Sequence, residues 1–369
     1  MAEHLFLTGG TGFIGGRLWK AWLERTTARV TLLVRPQRST SGQDRIDRLL
    51  RFYSPQERKD LSARVNLAEG DLSLPDLGLA DDQLADLSRS VTHIVHAGAE
   101  LRFTLPLERV RKTNTLGTAA VLELAKRCPR LCSFQYISTA YVAGRQKGLI
   151  RERRGNGAVE HNNTNERSKF EAEALVNEAM GQIPASVLRP SIVTCALENG
   201  YAPPNSAFFR LLQGIALGIL EALPGHPDTM LDLVPVDYVV EAAYAMGRRA
   251  DLNGRFFHLC AGSENRISLE EVSRLVSECF GRKPVGILPP REFAIWTRRA
   301  RRAAPQMNAF LDEVEIYAPY LYDHPRFDDS NTQSTLAQTA LPTRWFPDYC
   351  DQVVNFIREK YLPEPGEGP

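Results

Sequence analysis

The first fifteen residues place the strongest constraint on what this chain can fold into. The run LFLTGGTGFIG is a short apolar segment that breaks into Gly9, Gly12 and Gly15 at three-residue spacing. It opens an amphipathic helix that the pattern predicts from about Phe13 to Glu24. In a turn from a strand to a helix, Gly9 permits the sharp bend, Gly12 lets backbone approach a pyrophosphate, and Gly15 lets the helix pack close to the strand. The helix N-terminus then attracts the anion, so the chain is predicted to begin with a dinucleotide-binding α/β unit.

The end of the second predicted strand, Arg29 to Arg35, is expected to select the cofactor, since it lies about twenty residues after the last glycine. An acidic residue there would accept hydrogen bonds from a ribose 2′-hydroxyl, whereas the guanidinium of Arg35 can bind a 2′-phosphate through two donors. NADP(H) is therefore favoured over NAD(H). The alternative is that Arg35 merely ends a strand in solvent.

Composition indicates an ordinary globular protein with one large domain or slightly more. The 369 residues are 43% hydrophobic and 24% charged with a net charge of +1, which gives no reason to expect a nucleic acid or an anionic membrane as partner. The most apolar stretch, Phe208 to Leu223, is interrupted by Arg210, Gln213 and Glu221, so it cannot span a bilayer. The N-terminus leads directly into a strand, so no signal peptide and a cytoplasmic location are expected.

Neither a disulfide framework nor a metal site is predicted. The six cysteines contain no C-x-x-C pair, which favours buried thiols in a reducing compartment. Cys128 and Cys132 occupy positions typical of packing. His93 and His96 lie three apart on a predicted strand and so face opposite sides of it, which makes them poor joint ligands.

Strands and helices alternate through most of the chain, which predicts an α/β fold with a doubly wound parallel sheet. Later strands are predicted at Val65–Ala68, His93–His96, Ser133–Ser138, Ser186–Leu188 and Phe256–Leu259. Helices are predicted at Leu107–Lys126, Glu166–Met180, Ala207–Leu220, Asp237–Arg249 and Ser268–Phe280. Asp237 reads as a helix start, and Ser268 with Glu271 forms a capping box.

Three regions are expected from this pattern. Residues 1–250 form the NADP-binding domain, and residues 251–362 form a capping, substrate-binding region that interleaves with 192–235. The Pro/Gly/Glu tail, 363–369, is expected to be disordered.

Short polar and glycine-containing motifs follow successive strands, where doubly wound sheets build their sites. They read HAGAELRF after the fourth strand, NTLGT in the next helix, YISTAYV at the fifth strand and VLRPSIV at the sixth. Together with TGGTGFIG, LLVRP and LVPVDYV, these motifs resemble the extended short-chain dehydrogenase/reductase superfamily over about Leu5 to Met246. They look most like the branch that contains fatty acyl-CoA reductases and thioester reductase domains. The run PYLYDHPRFDDSNT, Pro319 to Thr332, is also similar to C-terminal regions of acyl reductases.

The resemblance implies a Rossmann-type sheet with a smaller, mainly helical C-terminal substrate-binding part, and it assigns roles to particular positions. It implies that Thr139, with Ser138 beside it, polarises the substrate carbonyl, while Lys169 orients the nicotinamide ribose. It implies that Asn114 orders a water next to Lys169. The implied cofactor contacts are Thr8, Gly9, Gly12, Phe13, Ile14, Gly15, Arg35, Asp71, Leu72, Ala97, Gly98, Ala99, Lys169, Pro190, Ser191 and Ile192.

One departure from the family pattern bears directly on the chemistry. The superfamily carries Tyr-x-x-x-Lys on the helix after the fifth strand, but here the residue four before Lys169 is Asn165, and no Tyr-x-x-x-Lys occurs anywhere in the chain. Asparagine cannot titrate, although its amide can donate, so Thr139 and Asn165 could form an oxyanion hole while Lys169 or a water supplies the proton. Losing a positioned acid typically costs roughly 10² to 10⁴ in rate.

Three interpretations of Asn165 stay open: an enzyme with different chemistry, a degenerate cofactor-binding homologue, or an engineered change. Tyr141 and His161 are the nearest titratable substitutes by sequence, and Tyr141 is the better of the two. Tyr141 is nevertheless more readily explained as a wall of the cleft.

The favoured function is NADPH-dependent reduction of an acyl thioester, carried by coenzyme A or a carrier protein, to an aldehyde or alcohol. The alternatives are a 3-oxo/hydroxy-type dehydrogenase of the same superfamily, and a non-redox NADP(H)-binding homologue that dehydrates, cyclises or senses. A basic cluster could receive coenzyme A phosphates or an acidic carrier, or be a solvated surface: Arg298, Arg299, Arg301 and Arg302. An apolar helix could line an acyl tunnel or simply pack in the core: Phe208, Phe209, Leu211, Leu212, Ile215, Leu217, Ile219 and Leu220.

Overall fold

The computed structural model describes residues 2–36, 41–50, 55–155, 159–204 and 206–362. Numbered in chain order, the strands of this part are β1 His4–Thr8, β2 Arg29–Val34, β3 Val65–Glu69, β4 His93–His96, β5 Ser133–Ile137, β6 Leu149–Ile150, β7 Ala185–Pro190, β8 Ile192–Val193, β9 Ala222–Pro224, β10 Met230–Leu231, β11 Leu233–Val234, β12 Phe256–Leu259, β13 Ile267–Ser268, β14 Gly286–Leu288 and β15 Arg326–Phe327. The predicted tail, 363–369, lies outside the described residues.

The α-helices of the same part are α1 Phe13–Arg25, α2 Gly42–Leu50, α3 Pro55–Ser62, α4 Asp81–Ser90, α5 Leu107–Arg111, α6 Gly117–Lys126, α7 Thr164–Ala179, α8 Ala207–Ala216, α9 Val236–Gly247, α10 Leu269–Cys279, α11 Pro290–Ala303, α12 Asn308–Tyr317, α13 Pro319–Tyr322, α14 Ser330–Leu336 and α15 Cys350–Tyr361. Short 3₁₀ turns lie at Pro75–Gly78, Ala140–Ala143, Ala250–Leu252, Pro305–Met307 and Phe346–Asp348.

Seven strands form one parallel sheet in the order β12-β7-β5-β4-β1-β2-β3. The strand order reverses between β1 and β4, which leaves a crevice at their carboxyl ends where doubly wound folds bind ligands. The predicted α/β fold is confirmed, and each predicted strand is present within two residues of its expected bounds. The sheet continues past residue 250, because its edge strand β12 lies at Phe256–Leu259.

Helices cover both faces of the sheet, as near-continuous apolar strands require. On one face α1 and α9 bury Trp19, Trp22 and Tyr238 completely. On the other face α4, α6 and α7 pack on Phe134 and Tyr136 of β5. The two faces hold the carboxyl ends of the strands, and therefore the crevice, in fixed positions.

A separate apolar core lies in the C-terminal part of the chain. It joins α8, α10, α11, α12 and α15, and its fully buried side chains include Phe209, Val276, Leu311 and Ile357. This arrangement agrees with the predicted smaller helical part. No helix in the described ranges is both long enough and apolar enough to cross a membrane.

Three helix predictions needed correction in detail. The predicted helix Leu107–Lys126 is interrupted by a π-helical turn at Lys112–Leu116, where the Gly117 N–H donates to the Lys112 carbonyl. Helix α8 stops at Ala216, before the predicted Leu220, because Gly218 adopts a left-handed φ of 68°. Helix α9 begins at Val236 after Pro235, so Asp237 does not cap it.

Candidate active site

The glycine turn between β1 and α1 has the geometry that the sequence predicts. Gly9 has φ 74°, and a Cβ there would lie 2.7 Å from the Ala97 carbonyl carbon. A Cβ at Gly15 would lie only 2.4 Å from the Gly9 carbonyl oxygen. Gly12 precedes the first residue of α1 and supplies no side-chain cap, which leaves the N-terminal N–H groups of a 13-residue helix to an anion. The turn therefore fits the pyrophosphate of a dinucleotide.

A chain of hydrogen bonds runs beneath this turn and fixes the tautomer of His96. The Gly98 N–H donates to Thr8 Oγ1 at 3.0 Å, and Thr8 Oγ1 lies 2.6 Å from His96 Nδ1. Thr118 Oγ1 donates to the Asn114 carbonyl at 2.5 Å, so it accepts from His96 Nε2 at 2.9 Å. Burial lowers the pKa of His96 to about 3, and His96 stays neutral. The chain ties β1 and β4 to the helical segment that carries Asn114.

The side of the crevice predicted to hold the adenine is formed by segments after β2, β3 and β4. The Asp71 carboxylate accepts from the Ser73 N–H and hydroxyl, both at 2.8 Å. Leu72 packs so closely that a Cβ at Gly98 would lie 2.6 Å from its Cδ1. Arg35 is exposed and follows the last residue of β2. These positions share the carboxyl edge of the sheet, as a dinucleotide site requires.

Asn114, in the π-helical turn, holds the loop that follows β4. Its Oδ1 accepts from the Glu100 N–H at 2.7 Å, and its Nδ2 donates to the Glu100 carbonyl at 3.1 Å and to Ser168 Oγ at 2.9 Å. Asn165 Nδ2 donates to the same Glu100 carbonyl at 2.7 Å. Both amide hydrogens of Asn114 thus have protein partners. The water-ordering role that the resemblance implies stays a prediction. Among the described residues Asn165 Nδ2 donates only to the Glu100 carbonyl, which leaves its second N–H without an acceptor there.

Lys169 lies one turn after Asn165 on the same face of α7. It is 4% exposed, and its ammonium donates to the Ile137 carbonyl at 2.8 Å and lies 4.6 Å from the Tyr136 ring centre. Burial lowers the pKa of Lys169 to about 8, and the nearby Glu173 carboxylate partly opposes that fall. Glu173 is itself paired with the buried Arg189 through Nη2 to Oε2 at 2.6 Å. A buried amine of this kind can change protonation near neutral pH.

Thr139 follows β5 and faces a cleft of about 190 Å³. Its Oγ1 accepts from the Tyr141 N–H at 3.3 Å. The neighbouring Ser138 hydroxyl is buried and has no hydrogen-bond partner among the described residues. The cleft is lined by Phe103, Thr139, Tyr141, Asn165, Glu166, Ile192, Val193, Ser206, Phe208, Leu211, Tyr317, Tyr320 and Leu321. The structure therefore brings Thr139, Asn165 and Ile192 to one surface.

Tyr141 is a wall of this cleft, as the sequence favours. Its hydroxyl lies 2.7 Å from His324 Nε2, and burial holds the pKa of Tyr141 well above its ordinary value. His161, the other suggested substitute, is absent from the cleft lining. Its ring packs at a tilt against Phe170, with 5.1 Å between ring centres, and its Nε2 lies 3.3 Å from the Val142 carbonyl.

Three titratable side chains of the cleft were not predicted from the sequence: Glu166, Tyr317 and Tyr320. Tyr320 of α13 donates to Glu166 Oε1 and accepts from Asn163 Nδ2 at 2.6 Å. Glu166 directly follows Asn165, which is the one local signal that could have drawn attention to it. Tyr320 lies in the PYLYDHPRF run, but its partner is 154 residues away in sequence.

All six cysteines are free: Cys128, Cys195, Cys260 and Cys350 are buried as expected, whereas Cys132 is exposed and Cys279 is half-buried. The described residues contain no group of three metal-ligating side chains. Helix α8 contributes to both the cleft and the core, since Phe208 and Leu211 line the cleft while Phe209 packs in the C-terminal core. Its role in an acyl tunnel stays a prediction. One arginine of the basic cluster on α11 already forms ion pairs within the protein: Arg301 pairs with Asp312 at 2.7 Å and with Glu315 at 3.1 Å.

The sheet order, the glycine turn and the Thr139–Lys169 site define an extended short-chain dehydrogenase/reductase. The chain belongs to the NAD-binding family described as "Male sterility protein", whose model matches residues 7–243. This family membership confirms the resemblance and the predicted nicotinamide class of cofactor. The choice between NADP(H) and NAD(H) stays a prediction.

Relatives place the chain in the expected branch of the family. Fatty acyl-CoA reductase wat of Drosophila melanogaster is 28% identical over 284 residues, which cover 66% of this chain and 53% of that protein. Fatty acyl-CoA reductase 1 of Mus musculus is 25% identical over 322 residues, which cover 77% of this chain and 62% of that protein. The chain thus spans between half and two thirds of the length of these relatives.

A solved structure matches the whole described architecture. The terminal R domain from the myxalamid PKS-NRPS biosynthetic pathway has a TM-score of 0.82 at 26% identity. The match covers 99% of this chain and 93% of that domain, so it includes the C-terminal part that the family model does not reach.

Proposed function

We propose that the protein is an NADPH-dependent reductase of acyl thioesters, presented by coenzyme A or by a carrier protein and converted to the aldehyde or alcohol. The cleft carries this proposal, because a largely apolar surface surrounds Thr139 and Asn165 beside Ile192. An acyl chain fits apolar walls such as Phe208 and Leu211, while two polar groups converge where a carbonyl would lie. The names of the fatty acyl-CoA reductase relatives support the same substrate class.

The side chains can stabilise the charge that develops on the carbonyl oxygen. NADPH, when bound, supplies a hydride to the carbonyl carbon. The Thr139 hydroxyl and the second N–H of Asn165 would donate to the resulting oxyanion, and the buried Lys169 ammonium adds positive charge behind them. Protonation gives a hemithioacetal. Its collapse breaks the C–S bond while the hydroxyl proton passes to the departing sulfur, so an aldehyde and a thiol are released. A thiol is a good leaving group, so this substrate demands less of the proton donor than a ketone does.

The first experiment follows NADPH oxidation with a panel of acyl-CoA and carrier-bound thioesters. The unmodified protein, Asn165→Tyr and the control Asn199→Tyr, which changes an exposed asparagine, are compared. Turnover by the unmodified protein is expected and would establish a reductase without the family tyrosine. Turnover by Asn165→Tyr alone would show that redox chemistry was lost at this position. If neither protein turns over while both bind NADPH, the non-redox alternative replaces the proposal.

The cofactor preference rests on Arg35. Replacing it with glutamate removes a cation near the expected 2′-phosphate, and charged hydrogen bonds of this kind contribute about 1.5–3 kcal/mol. The Kd for NADPH is therefore expected to rise about 10- to 100-fold, while that for NADH stays the same or falls. Arg29→Glu, at the opposite end of β2, is the matched control. Equal effects of Arg35→Glu on both cofactors would contradict the NADP(H) preference.

A further inference from the structure

We propose that Tyr320, backed by Glu166, delivers the proton to the substrate oxyanion in place of the missing family tyrosine. The inference rests on the reductase function proposed above; it makes Tyr320 the catalytic proton donor and Glu166 the residue that positions and recharges it. Both side chains line the cleft that also contains Thr139 and Asn165.

The pair is built into the wall of the cleft by contacts between distant parts of the chain. Glu166 lies at the start of α7, where its N–H donates to the Asn163 side chain at 3.0 Å. Its Oε2 accepts from the Asn162 N–H at 2.8 Å, and its Oε1 accepts from the Tyr320 hydroxyl. The Tyr320 oxygen in turn accepts from Asn163 Nδ2 at 2.6 Å. The phenol is therefore oriented at both its proton and its lone pair.

Other candidate donors are engaged in ways that suit them less well. The Tyr141 hydroxyl faces His324, which lies outside the cleft lining. His324 Nδ1 lies 3.2 Å from the Pro325 carbonyl and donates to it, so Nε2 accepts the hydrogen bond from Tyr141. Burial lowers the pKa of His324 to about 3, so it holds no proton to pass on. Tyr317 also lines the cleft, but it packs edge-on against Phe103 and forms no hydrogen bond with a carboxylate in the described part of the chain. Tyr320 alone of the three donates to a carboxylate at the cleft.

The transfer proceeds as a relay of two protons. In the reactive state Glu166 is protonated and donates to the Tyr320 oxygen, which leaves the Tyr320 O–H directed at the substrate. The Tyr320 O–H bond breaks as its proton bonds to the oxyanion, and the Glu166 proton moves to the Tyr320 oxygen. Glu166 ends as a carboxylate that accepts from Tyr320, which is the hydrogen-bond arrangement observed. Water then restores the proton on Glu166, and no phenolate forms.

The surroundings favour the protonated form of Glu166. Burial raises the pKa of Glu166, and hydrogen bonds from Tyr320 and Asn162 only partly oppose that rise. The charge of Arg145 also lowers the pKa of Glu166, but Arg145 is exposed and lies 3.5 Å from Glu160. Burial also holds the pKa of Tyr320 well above its ordinary value. A neutral acid behind a neutral phenol is the arrangement that a proton relay needs.

The test measures kcat, KM and the solvent deuterium isotope effect for Tyr320→Phe, Glu166→Gln and Glu166→Asp, with Tyr322→Phe as control. Tyr320→Phe is expected to lower kcat by about 100-fold or more with KM changed less than about threefold, and to enlarge the isotope effect. Glu166→Asp, which keeps the carboxyl group, should retain more activity than Glu166→Gln. Tyr322→Phe should behave like the unmodified protein.

A double variant separates a proton-donating role from a merely structural one. If Tyr320 supplies the proton, installing the family tyrosine by Asn165→Tyr should make kcat insensitive to Tyr320→Phe; a structural role would leave the loss in place. A kcat for Tyr320→Phe within about threefold of the unmodified value refutes the relay while the reductase function stands. If the unmodified protein reduces no thioester, the reductase function and the relay are both refuted.

Discussion

Replacing Lys169 with methionine is expected to stabilise the protein and abolish its activity. Lys169 is 4% exposed, and among the described residues its ammonium donates only to the Ile137 carbonyl. A fall of the lysine pKa from 10.5 to about 8 means that burying the charged form costs roughly 3 kcal/mol. Methionine fills a similar volume without charge, and the lost hydrogen bond costs about 1 kcal/mol. Near pH 7 the free energy of unfolding should therefore rise by about 2 kcal/mol.

The stability difference between Lys169→Met and the unmodified protein should depend on pH. Between about pH 8 and 10.5 the unfolded chain holds the Lys169 proton and the folded protein does not, so the stability of the unmodified protein increases with pH in that window. The advantage of Lys169→Met should shrink by roughly 2.5 kcal/mol between pH 7 and pH 10.

Urea denaturation at the two pH values measures these differences, with the exposed Lys283→Met as control. Reductase assays should show kcat for Lys169→Met lowered by about 100-fold or more, because the cation next to the oxyanion is gone. A Lys169→Met protein that is less stable than the unmodified one near pH 7, or a difference independent of pH, would refute the reasoning.

Two further changes test the cofactor turn and the buried ion pair behind Lys169. Gly15→Ala places a methyl group 2.4 Å from the Gly9 carbonyl oxygen and should weaken NADPH binding at least about tenfold in a fluorescence titration. Gly181→Ala is the control, because no atom lies within 4 Å of the added methyl group. Unchanged binding by Gly15→Ala would contradict the role assigned to Gly15 in the cofactor turn. Arg189→Met leaves the Glu173 carboxylate buried without its partner and should lower the free energy of unfolding by about 3–5 kcal/mol. The double variant Arg189→Met with Glu173→Met should recover most of that loss. A double variant as unstable as the single one would argue against an unpaired buried charge as the cause.

Local chemistry explains what could be predicted from the sequence. At Gly9, Gly12 and Gly15 a Cβ would lie 3.1 Å or less from backbone atoms, so the turn requires glycine at these three positions. The spacing of the three glycines is present in the sequence, and the turn could therefore be predicted. The sheet strands are apolar runs bounded by helices, and that alternation suffices to predict a parallel sheet. Strands of two or three residues, such as β8 and β11, carry no periodicity and were missed.

The parts that could not be predicted depend on contacts distant in sequence or on subtle backbone changes. The π-helical turn at Lys112–Leu116 inserts into a run whose apolar spacing is helical on both sides, so the pattern shows one uninterrupted helix. Replacement of the family tyrosine by Asn165 was evident, but the pairing of Glu166 with Tyr320 required the C-terminal part to fold back onto α7. The sequence shows that the family tyrosine is missing, whereas only the fold shows that Glu166 and Tyr320 line the same cleft as Asn165.

The C-terminal part supplies one wall of the cleft, whereas the residues predicted to select the cofactor lie near the start of the chain. Arg35 and the glycine turn belong to the first sixth of the sequence, and Tyr317 and Leu321 approach the cleft from α12 and α13. Exchanging residues 290–319, which leaves the proposed proton donor Tyr320 in place, for the corresponding stretch of another reductase should change which chain lengths are accepted and leave nicotinamide preference untouched. That result would mean that the two specificities can diverge independently within one protein.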